Sequence, residues 1–213
     1  MKTDDLIAML SSGPDVRVSA PAPRALALPL LGGLAVSVGL MLVSLGVPRD
    51  LPQTAELPAF WLKVMFAVAL AGAGWSAMKR LATPGADLSM LAVYLGVPVL
   101  VLWAIAGAML WQANPAETRA LFLGSTWRVC PFLIAFLSLP IFVATIRIVR
   151  GLAPTRLRLA GAASGFAAGA IAALVYCLHC PEMSPVFVGF WYLLGMSIPT
   201  AIGALLGPRV LAW

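Results

Sequence analysis

Acidic side chains are almost missing from the long apolar stretches that dominate this chain. Of 213 residues, 8 are Asp or Glu, 14 are Lys or Arg, three are Cys and one is His. No carboxylate lies deep inside any apolar run, and Lys63 is the only charge clearly within one. Ion-coupled transporters keep ionisable groups near the membrane midplane to carry charge or protons, despite the cost of burying them. Their scarcity argues against a proton-driven carrier and leaves a passive pore open. There is also no Walker loop, no G-x-S-x-G elbow and no H-E-x-x-H pair. The reading is therefore not an enzyme.

What the chain has in excess is apolar length. It is 62% hydrophobic and 10% charged, with a mean hydropathy of +0.98. Six runs, at 25–47, 58–78, 88–111, 129–149, 158–178 and 187–207, each approach the ~20 residues a helix needs to cross a bilayer. The expected fold is all-α, a polytopic bundle of six transmembrane helices over 25–213 with a short cytoplasmic tail at 1–24. Too little chain is left over for a soluble core of about 50 residues or more. The opening residues carry Asp4, Asp5 and Asp15, and the first run begins after Pro21 and Pro23, so no cleavable signal peptide is expected.

Basic residues set the expected orientation. Lys2, Arg17, Arg24, Lys79, Arg80, Arg147, Arg150, Arg156, Arg158 and Arg209 share one side, against Arg49, Lys63, Arg119 and Arg128 on the other. By the positive-inside rule both termini are cytoplasmic in a bacterial inner membrane. The pI near 9.8 is thus read as topology and not as nucleic-acid binding. Lys63, early in span 2, is expected to snorkel toward the outer face. Trp61, Trp75, Trp103, Trp111, Trp127 and Trp191 lie near span ends, where amphipathic rings anchor. Gly161, Gly165 and Gly169 in span 5, with Gly203 and Gly207 in span 6, form ridges that allow close backbone approach. They suit packing of the two spans on each other, or equally a homodimer face. Pro98, Pro140 and Pro199 are expected to bend spans 3, 4 and 6.

Two places carry potential chemistry. Cys130 opens span 4, and span 5 ends in Cys177-Leu178-His179-Cys180-Pro181-Glu182-Met183; both ends should meet the same outer surface. Cys130 and Cys180 are best placed there for a disulfide, which persists in an oxidising periplasm. Arg128 and His179 stand near enough in sequence to stabilise a thiolate, and Cys177, one turn deeper, is the odd thiol. Cys130, Cys180 and His179, with Glu182 and Met183, equally suit a transient soft-metal site. An inert structural group, a redox pair and a metal site all remain open, and no cofactor is required.

The second place is the tail. Thr3 is positioned to cap a short helix with Asp4 and Asp5 in its first turn, and Leu6, Ile7 and Leu10 share an apolar face. Ser11-Ser12-Gly13-Pro14 stops it. A helix this short is marginal alone and orders against something. Membrane-surface helices carry Lys and Arg on their polar face; acidic residues here favour a basic protein partner instead.

Met1-Lys2-Thr3-Asp4-Asp5-Leu6-Ile7, the six spans, Cys130, Cys180-Pro181-Glu182 and Phe190-Trp191-Tyr192-Leu193-Leu194-Gly195-Met196 together resemble the NrsF-type membrane anti-sigma factors, over essentially the full length. The resemblance implies an amino-terminal segment, Lys2, Thr3, Asp4, Asp5, Leu6, Ile7 and Leu10 included, that binds an extracytoplasmic-function sigma factor. It also implies that Cys130 and Cys180 face the periplasm as a sensing pair for oxidant or soft metal. Cys177 and His179 are not carried over. The expected protein is a stress-responsive transcription regulator that touches the bilayer and the sigma factor but no nucleic acid directly. Its rivals are a small metal or solute permease and a membrane thiol oxidoreductase.

Overall fold

The computed structural model describes residues 3–11, 23–83, 85–87 and 89–212. These are 80% helical, with no strand among them. In chain order the helices are α1 (Thr3–Ser11), α2 (Pro23–Ser44), α3 (Leu51–Thr54), α4 (Pro58–Ala82), α5 (Leu91–Gln112), α6 (Pro115–Leu123), α7 (Cys130–Arg150), α8 (Leu157–Tyr176) and α9 (Pro185–Phe187). A π-helical turn (Val188–Tyr192) then leads into α10 (Leu193–Val210). Six helical segments are long and apolar enough to cross a membrane: α2, α4, α5, α7, α8, and the continuous run Pro185–Val210.

Local chemistry sets the ends. At the close of α2 the N–H groups of Leu45 and Gly46 both donate to the Met41 carbonyl, and Gly46 takes φ +73°. This left-handed turn suits a residue without a Cβ and ends the helix three residues before the sequence pattern does. Pro115 starts α6 behind Asn114, whose side chain accepts from the Ala116 and Glu117 N–H groups while Glu117 bonds back to the Asn114 N–H. That capping box opens a short helix in the connection between spans 3 and 4. Besides the three expected prolines, Pro29 and Pro208 also lie inside helices.

α8 is the hub. It packs on α10, α4, α7 and α2, and its window is 72% buried, against 11% for α2 and α5. Outward faces remain apolar, with Val43, Leu100, Trp111 and Leu205 exposed. In an apolar solvent helices gain little from hiding apolar side chains, so close contact and interhelical hydrogen bonds hold them together. Both are present. A Cβ placed on Gly165 would collide with the Pro199 carbonyl, and Gly161 meets Gly203 in the same manner. The glycine ridge is thus occupied within the chain, by α10. Ser37 Oγ donates to Leu137 O at 2.9 Å, tying α2 to α7, and Thr145 Oγ1 donates to Ser164 O at 3.3 Å, tying α7 to α8.

Successive spans alternate in direction. Lys79, Arg80, Arg147, Arg150 and Arg209 lie in last turns that share one end of the bundle. The cysteines occupy the other.

Candidate functional site

The cysteine site forms where four segments converge: the first turn of α7, the 177–184 connection after α8, the π-helical turn and the first third of α4. Cys130, Cys177 and Cys180 are free, buried thiols, 0%, 1% and 3% exposed. Cys130 and Cys180 are neighbours in one buried cluster, so the two residues expected to pair are brought together. The Cys130 thiol, as donor, holds Cys180 below the ordinary thiol range; the Lys63 ammonium and the Tyr192 hydroxyl pull the same way, and burial opposes them.

Lys63 departs most from its expected place. It does not snorkel outward: it is 1% exposed. Its Nζ donates to the carbonyls of Cys180 at 2.7 Å and Glu182 at 3.2 Å and sits 5.4 Å from the Phe60 ring centroid. The side chain bends under the 180–182 turn because the bundle supplies two carbonyls there, 117 and 119 residues away in sequence. Burying an ammonium costs several kcal/mol even after relaxation (~). A hydrogen bond to a charged group returns about 1.5–3 kcal/mol, and a ring face about 0.5–2 kcal/mol. The two carbonyls and the ring offset much of the cost without supplying a negative charge.

Two tyrosines complete the site. Tyr176 and Tyr192 are both 0% exposed, with ring centroids 5.9 Å apart. Neither hydroxyl makes a formed hydrogen bond; Tyr176 faces the sulfurs of Cys130 and Cys180, and Tyr192 those of Cys177 and Cys180. The π-helical turn ends at Tyr192. Its extra residue per turn sets the phenol's direction, a local irregularity frequent at functional sites. Trp103 Nε1 donates to Gly189 O of this turn at 2.9 Å.

The other residues singled out from the sequence have different roles. His179 points Nδ1 at the Gly46 carbonyl at 3.0 Å, fastening the 180 turn to the end of α2. Arg128 is exposed, its guanidinium 5.1 Å from the Trp127 ring centroid. Neither is the cation anchored on the turn that carries Cys180; that is Lys63. Glu182 turns away to accept from Ser125 N and Oγ, both at 2.6 Å, and its carboxylate fills the space beside Gly124, φ +53°. Among the described residues no three His, Cys, Asp or Glu side chains are grouped to hold a metal ion.

Lys63, Tyr176 and Tyr192 are the residues that sequence reasoning missed. For Lys63 a signal existed, a lone charge inside an apolar run. The tyrosines look like ordinary packing residues until the fold aligns them.

At the amino terminus Thr3, the first described residue, lies within α1. Asp4 and Asp5 are in its first turn, and Thr3, Asp4, Asp5, Ile7 and Met9 are exposed. Lys2 and the linker at 12–22 lie outside the described residues, as do the side chains of Leu6 and Leu10.

Residues 10–213 match the family described as NrsF, negative regulator of sigma F. The chain belongs to the NrsF family. A probable anti-sigma-F factor NrsF from Azospira oryzae is 50% identical over 213 residues, covering all of both chains. The anti-sigma-F factor NrsF of Caulobacter vibrioides is 37% identical over 216 residues, again covering both chains completely. No solved structure matches. NrsF relatives are by name regulators, and nothing in the comparison indicates catalysis.

Proposed function

We propose that this protein is an inner-membrane anti-sigma factor that holds an extracytoplasmic-function sigma factor through its amino-terminal segment and releases it when Cys130 and Cys180 are oxidised to a disulfide. Full-length similarity to two anti-sigma-F factors supports the regulatory role. The observation that carries the sensing role is the juxtaposition of two free, buried thiols in one cluster, one opening α7 and the other in the turn after α8. A bond between them joins two helices that both reach the opposite, basic end.

Orientation follows from charge. With Lys79, Arg80, Arg147, Arg150 and Arg209 toward the cytoplasm, the cysteines face the periplasm, where a disulfide persists. The same orientation puts the exposed, acidic α1 on the cytoplasmic side, within reach of a sigma factor. A thousandfold loss of sigma affinity requires about 4 kcal/mol of coupling between the two ends, within the scale of a changed helix contact. Oxidant is preferred to soft metal as the signal because, among the described residues, no three His, Cys, Asp or Glu side chains are grouped to hold a metal ion.

The test is binding of the sigma factor to the purified full chain in nanodiscs before and after oxidation. Affinity should fall on oxidation and recover with a reductant; Cys130→Ser and Cys180→Ser should bind but not respond. A normal response in both variants removes the cysteines from the mechanism.

A further inference from the structure

A thiol needs no help to stay neutral in an apolar site, yet this one is surrounded by groups suited to an anion. Lys63 brings a buried ammonium whose two acceptors are main-chain carbonyls of the very turn that holds Cys180. The nearby Glu182 carboxylate is spent on Ser125. Tyr176 and Tyr192, both wholly buried, add hydroxyls with no formed hydrogen bond, aimed at the same sulfurs. The arrangement is also unequal. Lys63 is anchored on the Cys180 turn through the Cys180 and Glu182 carbonyls, so the buried positive charge sits on the segment that carries Cys180. Cys130, in the first turn of α7, has Tyr176 as its neighbour and, among the described residues, no side-chain cation anchored on that turn.

We propose that Lys63 is a positioning residue that, with the Tyr192 hydroxyl, makes Cys180 the attacking sulfur toward a small two-electron oxidant of the peroxide class and leaves Cys130 as the resolving thiol. This rests on the redox reading above. The Cys180 thiolate attacks one peroxide oxygen, the O–O bond breaks, and the departing hydroxide takes the proton Cys180 gave up, leaving a sulfenic acid and one water. The Cys130 sulfur then attacks the Cys180 sulfur, the S–O bond breaks, and its oxygen leaves with the Cys130 proton as a second water. Two thiols are oxidised by two electrons and one peroxide is reduced to two waters. With the sulfurs at most 3% exposed, bulky or charged reagents are excluded from the folded site, and the oxidant proposed is accordingly small and neutral. The finished disulfide carries no charge, so Lys63 loses the anion it was placed beside and its hold on the 180–182 turn changes with the redox state.

The experiment uses the full chain in nanodiscs with hydrogen peroxide as oxidant, followed by rapid unfolding in denaturant containing dimedone, so that sulfenic acid formed in the buried site is trapped once exposed, and mass spectrometry to locate the adduct and the disulfide. Cys130→Ser should carry the adduct on Cys180, whereas Cys180→Ser should show about tenfold less on Cys130. Lys63→Met should slow disulfide formation by about tenfold or more and erase the preference for Cys180. Tyr192→Phe keeps the packed ring and should slow the reaction by a smaller factor, which leaves the idea testable if Lys63→Met does not fold. Equal labelling of both cysteines, or an unaltered rate and preference in Lys63→Met, overturns the assignment while leaving the redox reading standing. Absence of any adduct or disulfide in the unaltered chain overturns both.

Discussion

At the scale of single residues, this protein places its few charged groups where they fasten loops. Glu182 illustrates the point: a carboxylate in the connection after α8 holds the turn at 124–125, 57 residues away, through two hydrogen bonds at 2.6 Å. Charged hydrogen bonds of this kind contribute about 1.5–3 kcal/mol each when shielded from water. Because Ser125 is exposed, the lower end applies. Glu182→Gln should therefore lower stability by about 1–2 kcal/mol, seen as a lower unfolding midpoint in detergent, with the Cys130–Cys180 contact retained. His179→Ala is expected to loosen the 180 turn from Gly46, and to leave oxidation by peroxide intact. Loss of oxidation in that variant would make the imidazole part of the chemistry after all.

At the scale of elements, helix contacts decide more than hydropathy does. Gly165→Leu forces a side chain against the Pro199 carbonyl, and overpacking of this kind costs about 1–3 kcal/mol or separates the helices. Gly39→Ala, with nothing within 4 Å of the new methyl, should stay within about 0.5 kcal/mol of the unaltered chain. Thermal unfolding of the two variants in one detergent checks the contrast; equal effects would mean that α8 and α10 do not meet as described. The spans themselves were legible, because a bilayer demands about 20 apolar residues per crossing whatever the fold, and boundaries shifted by only a few residues. The role of the glycine ridge was not, since small residues at every fourth position serve an intramolecular and an intermolecular face equally. The π-helical turn Val188–Tyr192 has no local signature: its residues read as ordinary helix, and tertiary contacts such as Trp103 on Gly189 accompany the extra residue.

At the scale of the whole molecule, the proposed switch joins two opposite ends of one bundle. The cysteine pair was visible in the sequence from the two span ends that should share a surface. Its environment was not, because Lys63, Tyr176 and Tyr192 arrive from separate segments only after folding. The tail was visible as an acidic, apolar helix, and α1 spans Thr3–Ser11. Reversing its charge with Asp5→Lys should free the sigma factor without changing bundle stability, as read by pull-down alongside thermal unfolding. Unchanged sequestration would shift the binding surface to the loops at the basic end.

The central claim is that oxidation at the cysteine end controls a partner held at the tail. The most direct measurement is co-purification of the sigma factor from bacterial membranes with the full chain, with a chain lacking residues 2–12, and with Cys130→Ser, each before and after mild peroxide treatment. The account predicts a sigma factor bound to the untreated full chain and to Cys130→Ser, lost from the full chain but kept by Cys130→Ser after peroxide, and absent throughout from the truncated chain. A sigma factor that stays on the oxidised full chain, or that binds the truncated one, would contradict it.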